Sequence, residues 1–362
     1  MDNLSTASPS SAELWNTTTL VPSQNYDYDY EMDPQIVALR KSMHIFIMVI
    51  YIVAFLLGTT GNGLVIWIAG FKMKKTVNIV WFLNLAIADF IFTFFLPLSI
   101  AYLALNFHWP FGTFVCKLNS TFAFINLFAS VFLLTIISID RCISVVFPVW
   151  CQNHRTPRLA SFVSLFAWFL ALCFSLPYFI FRDTFVEKDG SIKCYNNFDY
   201  TEEGILTDLG LRRIKATVSL KFLVGFLIPF SVITFCYGVI AFKLKINQMS
   251  TSTKPFKIII AVLVSFFLCW FPYHVFSFLE LSTITNPNLD NGILFVVGIP
   301  LTSSLAFLNS CVNPFLYVFM GRDFKEKFRT SIQSIFEKAF MEDSMQADLK
   351  SKTKSTSESN VV

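Results

Sequence analysis

Asp89 stands inside an unbroken apolar run, Asn84-Leu85-Ala86-Ile87-Ala88-Asp89, with no Lys or Arg in that run to neutralise it. A carboxylate so placed must take up a proton, bind a cation or face a hydrated cavity. Amide and hydroxyl oxygens recur at one-turn spacing elsewhere, Asn126 with Ser130 and Asn309 with Asn313, each pair on one helical face. Gathered around Asp89 they would offer oxygen ligands to a small cation, for which Na⁺ is the natural candidate. The competing use is a polar network that glues helices together. A second set, Asp140-Arg141-Cys142, closes a long apolar run; charges survive there only where protein or water receives them. A third set gathers at the opposite ends of the runs: Arg182, Arg213, Lys215, Lys221 and Glu280. Arg213 and Lys215 can snorkel, but Lys221 lies deeper and suits an anion. Opposed charges around a pocket fit a peptide carrying a carboxylate and a polar or cationic group. None of these sets is a catalytic constellation. His44, His108, His154 and His274 are scattered, and no nucleotide-binding or zinc-protease pattern occurs.

The elements that must position these residues are membrane spans. The chain is 54% hydrophobic and only 14% charged, far from the balance of a soluble domain. Apolar stretches long enough to cross a bilayer recur at about 43–69, 77–104, 114–140, 159–180, 215–242, 257–280 and 293–320. They run solidly apolar, without the alternation of a transmembrane β-barrel. The expected fold is therefore all-α, a seven-helix membrane bundle over 43–320. Lys72, Lys74 and Lys75, then His154, Arg155 and Arg158, then Lys243, Lys245, Lys254 and Lys257, then Arg322, Lys325, Lys327 and Arg329 fall on one side. The positive-inside rule makes that side cytoplasmic and the N-terminus extracellular. No cleavable leader is visible in the polar opening, so the first span is expected to act as the insertion signal.

Residues 1–42 read as a disordered outer tail, with sequons at Asn3 and Asn16 for glycosylation. A third sequon, at Asn119, falls within a span and is expected to stay unmodified. In the tail Tyr26, Tyr28 and Tyr30 alternate with Asp27, Asp29, Glu31 and Asp33. Such a segment favours a basic partner, and its tyrosines are candidates for sulfation. Residues 321–340 open as an amphipathic surface helix suited to anionic lipid. Residues 341–362 read as a disordered tail whose Ser351, Thr353, Ser355, Thr356, Ser357 and Ser359 are candidate kinase sites for arrestin docking.

Of eight cysteines only Cys116 and Cys194 fall at the outer face, where an oxidising compartment favours a bridge between them. Cys142, Cys151, Cys173, Cys236, Cys269 and Cys311 are expected as free thiols. Pro97, Pro177, Pro229, Pro272, Pro300 and Pro314 punctuate the spans and can bend them. Phe266 and Trp270, one turn apart before Pro272, suit a two-position switch beside a kink, although rings at this spacing also serve plain packing.

From about 40 to 340 the chain resembles the rhodopsin-like (class A) G-protein-coupled receptors. The likeness rests on Gly61-Asn62 with Val65, Leu85-Ala86-Ile87-Ala88-Asp89, Asp140-Arg141-Cys142, Trp168, Pro229 with Tyr237, Cys269-Trp270-Phe271-Pro272, and Asn313-Pro314-Phe315-Leu316-Tyr317. Within that family it is similar to the chemoattractant branch, through His108-Trp109-Pro110-Phe111-Gly112, Pro148-Val149-Trp150 and Gln152-Asn153-His154-Arg155. Phe181-Arg182-Asp183-Thr184, Cys194-Tyr195-Asn196-Asn197-Phe198, Pro272-Tyr273-His274 and Leu279-Glu280-Leu281 carry a closer likeness to chemerin-like receptors. Formyl-peptide receptors come next; Phe124 stands where they place an aspartate. The resemblance implies a peptide or protein agonist entering from outside, an inhibitory G protein, arrestin and receptor kinases inside, and a role in leukocyte chemotaxis and inflammatory signalling. It implies that Asp140 holds Arg141 at rest and that Tyr237 and Tyr317 turn inward on activation. Phe124 would line the ligand cavity, the agonist's C-terminal carboxylate would meet Lys221 and Arg182, and Glu280 would lie near its polar groups. A formyl-peptide receptor, an arrestin-biased decoy receptor for chemerin and, more remotely, an ion transporter are the alternatives. No internal repeat supports a transporter, and no lysine in 293–320 could carry a retinal Schiff base. Nothing in the chain points to nucleic acid or to enzymatic chemistry.

Overall fold

A computed structural model describes residues 34–187, 189–201, 205–246, 254–286 and 292–320, together with 326, 329 and 330. Its helices are α1 (Pro34–Trp67), α2 (Val77–Ala104), α3 (Gly112–Val146), the short α4 (Pro148–His154), α5 (Pro157–Ile180), α6 (Asp208–Phe222), α7 (Ile228–Ile246), α8 (Lys254–Thr285) and α9 (Gly292–Met320). Wider π turns follow α1 at Ile68–Lys72 and join α6 to α7 at Leu223–Leu227. Seven helical segments are long and apolar enough to cross a membrane, as the hydropathy pattern requires. Most run beyond their apolar stretch. The first starts at Pro34, so residues 34–42, expected in the disordered tail, are helical. Hydropathy marks only the turns that must lie in hydrocarbon, whereas helical hydrogen bonding continues through the flanking polar turns.

Local chemistry sets the helix starts. Thr76, Thr156 and Thr207 each turn a side-chain oxygen onto the first-turn N–H of Ile79, Leu159 and Gly210, the N-cap role of threonine. Pro157 follows its cap at a first-turn position where no N–H is needed. Pro97, Pro177, Pro272, Pro300 and Pro314 lie inside helices. Pro229 follows the π turn, in which the Ile228 N–H reaches back five residues to Leu223. With no N–H of its own Pro229 cannot close the next bond, and the widened turn absorbs the defect.

The third span is the axis of the bundle. Two-thirds of its apolar window (67%) is buried, against 22% for the first span, and Leu127, Phe128, Val131 and Leu134 pack at the centre of the core. By contrast Phe162, Leu165, Phe166, Phe169 and Leu172 of α5 face outward, each at least half exposed. An apolar rim of that extent is suited to hydrocarbon rather than to water. On the first span, a Cβ at Gly61 would meet the Pro314 ring at 3.1 Å, so a glycine is what lets α1 and α9 approach there.

One end of the bundle is closed by an antiparallel hairpin, β1 (Arg182–Val186) and β2 (Ile192–Asn196), with Thr184 opposite Cys194. The expected bridge, Cys116–Cys194, ties β2 to the start of α3. The His108-Trp109-Pro110-Phe111-Gly112 segment is its second anchor. The Trp109 N–H donates to Ile192 O (2.8 Å), the Ile192 N–H donates to His108 Nδ1 (3.1 Å), and Trp109 Nε1 donates to Gly112 O (2.9 Å). The other cysteines expected as free thiols are unbridged.

Candidate functional site

Beneath the hairpin lie two neighbouring cavities. One is lined by Tyr102, Asn119, Phe124, Arg182, Trp270 and Tyr273 among others, and the second by Tyr178, Asn196, Lys221, Ser277 and Glu280. The rings of Phe124 and Tyr178 stack nearly parallel, 12° apart, and form the partition. Lys221 is only 4% exposed. Its Nζ donates to Tyr273 Oη (3.2 Å) and Ser277 Oγ (3.1 Å) and sits 4.5 Å from the Tyr273 ring centroid. It is therefore a buried cation held by hydroxyls and an aromatic face, not a snorkelling side chain. Glu280 is buried in the same cavity.

Arg182 is placed differently from the expectation. It opens β1, is 3% exposed, and donates through Nη1 to Asn196 Oδ1 (3.1 Å) and through Nε to Cys194 Sγ (3.2 Å). Burial brings its guanidinium down to about 10, so it remains a cation at neutral pH. It lines the first cavity and Lys221 the second, while its partner Asn196 lines the second as well. The cause is local: the hairpin register sets Arg182 opposite Asn196, which commits its fork to the hairpin itself.

Midway along the bundle the expected polar cluster assembles in part. Asp89 is fully buried; Asn126 Nδ2 donates to its Oδ1 (2.9 Å) and Asn313 Nδ2 to its Oδ2 (2.8 Å). Ser310 Oγ donates to Asn126 Oδ1 (3.2 Å), while Asn62 Nδ2 donates to the Ser310 and Gly58 carbonyls (2.9 Å each). Ser130 lies one turn beyond Asn126 and Asn309 one turn before Asn313, both buried, without a bond to Asp89. Ser130 Oγ, Asn62 Oδ1 and Asn313 Oδ1 are buried oxygens lacking a hydrogen-bond partner. Orphaned oxygens beside a carboxylate are the donor set a hard monovalent cation takes, so these residues fit Na⁺. The buried rings of Phe266 and Trp270 lie 6.0 Å apart, with Trp270 lining the first cavity and edge-on to Tyr273 at 5.6 Å.

At the end of the bundle away from the hairpin, Asp140 is gripped by Arg155. Arg155 Nε donates to Asp140 Oδ1 and its Nη2 to Oδ2, each at 2.8 Å, the bidentate geometry of a guanidinium on a carboxylate. Arg141, expected to be held by Asp140, instead donates to Asn78 Oδ1. The same oxygen accepts from Arg155 Nη2 at 2.7 Å. Asn78 at the start of α2 thus joins both arginines. The reason is geometric: neighbouring residues on a helix point about 100° apart, and α4 carries the chain back so that Arg155 follows it against α3.

The fold and these three stations agree with a match to the family model of the 7 transmembrane receptor (rhodopsin family) over residues 61–317. The chain belongs to the rhodopsin family of seven-transmembrane receptors. It is a multi-pass membrane receptor and not an enzyme. The human chemerin-like receptor 1 is 49% identical over 307 residues, covering 83% of this chain and 81% of that protein. The rat chemerin-like receptor 1 is 46% identical, covering 89% and 87%. The human chemerin-like receptor 2 is 45% identical, covering 86% and 87%.

Several residues of this receptor's stations escaped sequence reading. Asn78 carried no signal beyond its place after a basic loop, and Arg155 entered only as an orienting charge and as part of a family motif. Tyr178 and Ser277 looked like ordinary span residues. Asn62 and Asn196 were visible only as parts of family motifs. Tyr237 lies on α7, with its hydroxyl buried. Tyr317 lies on α9, and its side chain is outside the described residues. So are Asn3, Asn16, Tyr26, Tyr28, Tyr30, Ser351, Thr353, Ser355, Thr356, Ser357 and Ser359, and most of 321–340.

Proposed function

We propose that this receptor stands in the plasma membrane with its N-terminus outside and answers a peptide or protein chemoattractant of the chemerin kind. It signals inward through heterotrimeric G proteins, the inhibitory class first, and through arrestin. The observation that carries this reading is Lys221, a cation buried beneath the hairpin in a chain nearly half identical to a chemerin-like receptor. A buried ammonium beside hydroxyls suits a carboxylate such as a peptide C-terminus. The two cavities measure about 60 and 30 Å³, room for water rather than for a peptide end. Agonist must therefore part the Phe124–Tyr178 stack. Tyr273 bonds Lys221 and abuts Trp270, so displacement at the stack reaches the rings beside Pro272. Agonist acts only through its differential affinity for the two arrangements. Cells expressing the receptor should respond to a chemerin C-terminal peptide, and not to a formyl peptide, with lowered cyclic AMP and recruited arrestin. A formyl-peptide response alone would overturn the ligand assignment, and arrestin without cyclic AMP change would make the receptor a decoy.

Asp89 with Asn126, Ser130, Asn309 and Asn313 would hold Na⁺, which would neutralise the carboxylate and fill the orphaned oxygens. Because the site lies between helices that must close together on activation, the ion favours the resting arrangement. Raising Na⁺ at constant ionic strength should lower agonist affinity in radioligand competition by about fivefold or more. Asp89→Asn should abolish that dependence; an unchanged sodium response in the variant would remove the site.

A further inference from the structure

A third cavity, of about 200 Å³, shares no polar residue with the stations above and is roomier than either cavity beneath the hairpin. Its inner wall is Val131 of α3, Phe226 of the π turn and Phe266 of α8, all buried. Phe230, Val264 and Leu268 line it too and are 41%, 50% and 61% exposed, so it opens between α7 and α8 on the outer surface of the bundle. Phe226 and Phe230 each meet the Phe267 ring, at 5.5 and 4.9 Å between centroids. Every described lining residue is apolar, so water finds no partner inside. In a membrane receptor, what lies outside such a mouth is lipid hydrocarbon. Depth narrows the occupant. Val131, Phe226 and Leu268 each lie near the middle of their helical stretches, Gly112–Val146, Asp208–Lys243 and Lys254–Thr285. A phospholipid brings its chain end to that depth and keeps its headgroup at the surface. The lining offers no polar group to a sterol hydroxyl or a fatty-acid carboxyl.

We infer that the cavity between α3, α7 and α8 is a binding site for the methyl end of a phospholipid acyl chain drawn from the bilayer. The chain end enters past Val264 and Leu268 and rests against Phe226 and Phe266. Hydrocarbon gains nothing from the hydrophobic effect by leaving hydrocarbon, so the pull is packing. An empty space leaves its lining without dispersion partners on one side, and dry apolar cavities of about 150 Å³ take up benzene. Phe266 also lies 6.0 Å from Trp270, which lines the first cavity. An occupied site therefore blocks outward movement of Phe266 and gives the bilayer a hold on the rings beside Pro272.

The test is photolabelling of receptor reconstituted in phosphatidylcholine bilayers, followed by peptide mapping. One phosphatidylcholine probe carries a diazirine at the methyl end of a chain, and the other carries it beside the chain carbonyl. The methyl-end probe should label Phe230, Val264 and Leu268 severalfold more than the carbonyl-side probe does. It should also label them severalfold more than Phe169, an outward-facing residue near the middle of α5 that lines none of the three cavities. Val264→Trp and Leu268→Trp each place a larger ring at the mouth, on residues at least half exposed, so folding is spared. Each should remove the labelling of Phe230 and leave that of Phe169 unchanged. Equal labelling at Phe169 and at the cavity would reduce the space to ordinary lipid contact. Phe230 labelling that survives both variants would place the chain end outside the cavity, and label displaced by added cholesterol while Phe169 stays labelled would make the occupant a sterol. Any one of these three results overturns the inference.

Discussion

Receptor carrying Cys116→Ser is expected to lose between about 2 and 4.5 kcal/mol of stability. The bridge joins residues 78 apart in sequence, and chain entropy assigns a loop of that size about 4.5 kcal/mol at 25 °C. The lower figure enters because the intervening chain includes α5 and most of α3. Spans already inserted in a bilayer are less free when the bundle comes apart than a chain in water. Local contacts do not replace the bond. The Ile192 bonds to Trp109 and His108 anchor the hairpin edge, yet Cys194 is the point at which β2 is fixed to α3. In detergent the melting temperature should fall by at least about 3 °C. Cys194→Ser and the double variant should match the single one, since all three break one bond. Melting temperatures indistinguishable from wild type would show that the hairpin is held by its hydrogen bonds alone.

What was legible before the structure was whatever hydrocarbon makes expensive. Asp89 announces itself because a carboxylate in an apolar run has few uses, and Asn126 and Asn313 do bond to it. The bridge followed from counting cysteines by side. Hydropathy set the number of spans but not their ends, since α1 begins at Pro34 on residues that look like tail. The charge pairing was illegible for a different reason. Which arginine reaches Asp140 depends on how α4 returns the chain toward α3, and sequence adjacency favours Arg141 although the fork that fits is that of Arg155. The partition between the cavities was hidden by abundance: with 43 phenylalanines in the chain, no spacing singles out Phe124 and its stack on Tyr178. Side-chain rotation about the span axes decides such contacts, and a sequence that is apolar on nearly every face does not encode it in a readable period.

Replacing Lys221 by Met is expected to lower agonist potency about tenfold to a hundredfold while the receptor still reaches the cell surface. Met keeps the length of the stem and removes the ammonium. Folding should tolerate the change, because the cost of burying a cation is removed with it and the hydrogen-bond partners of the ammonium are hydroxyls. The partners are not stranded either: Ser277 Oγ also donates to the Tyr273 carbonyl at 2.9 Å, and Tyr273 Oη lies at the edge of a cavity able to admit water. Binding is where the loss falls. A hydrogen bond to a charged group contributes about 1.5–3 kcal/mol, and each 1.4 kcal/mol is about a factor of ten in affinity. Amidating the C-terminus of the agonist peptide removes the other half of the same interaction. In wild-type receptor amidation should weaken the peptide by a factor close to that of Lys221→Met, and in the Met variant it should weaken it hardly further, since coupled partners are not additive. Arg182→Gln provides the contrast: with its guanidinium committed to Asn196 and Cys194, its loss should leave the amidation penalty intact. An amidation penalty of equal size in wild type and Lys221→Met would separate Lys221 from the carboxylate and return Arg182 as the group that receives it.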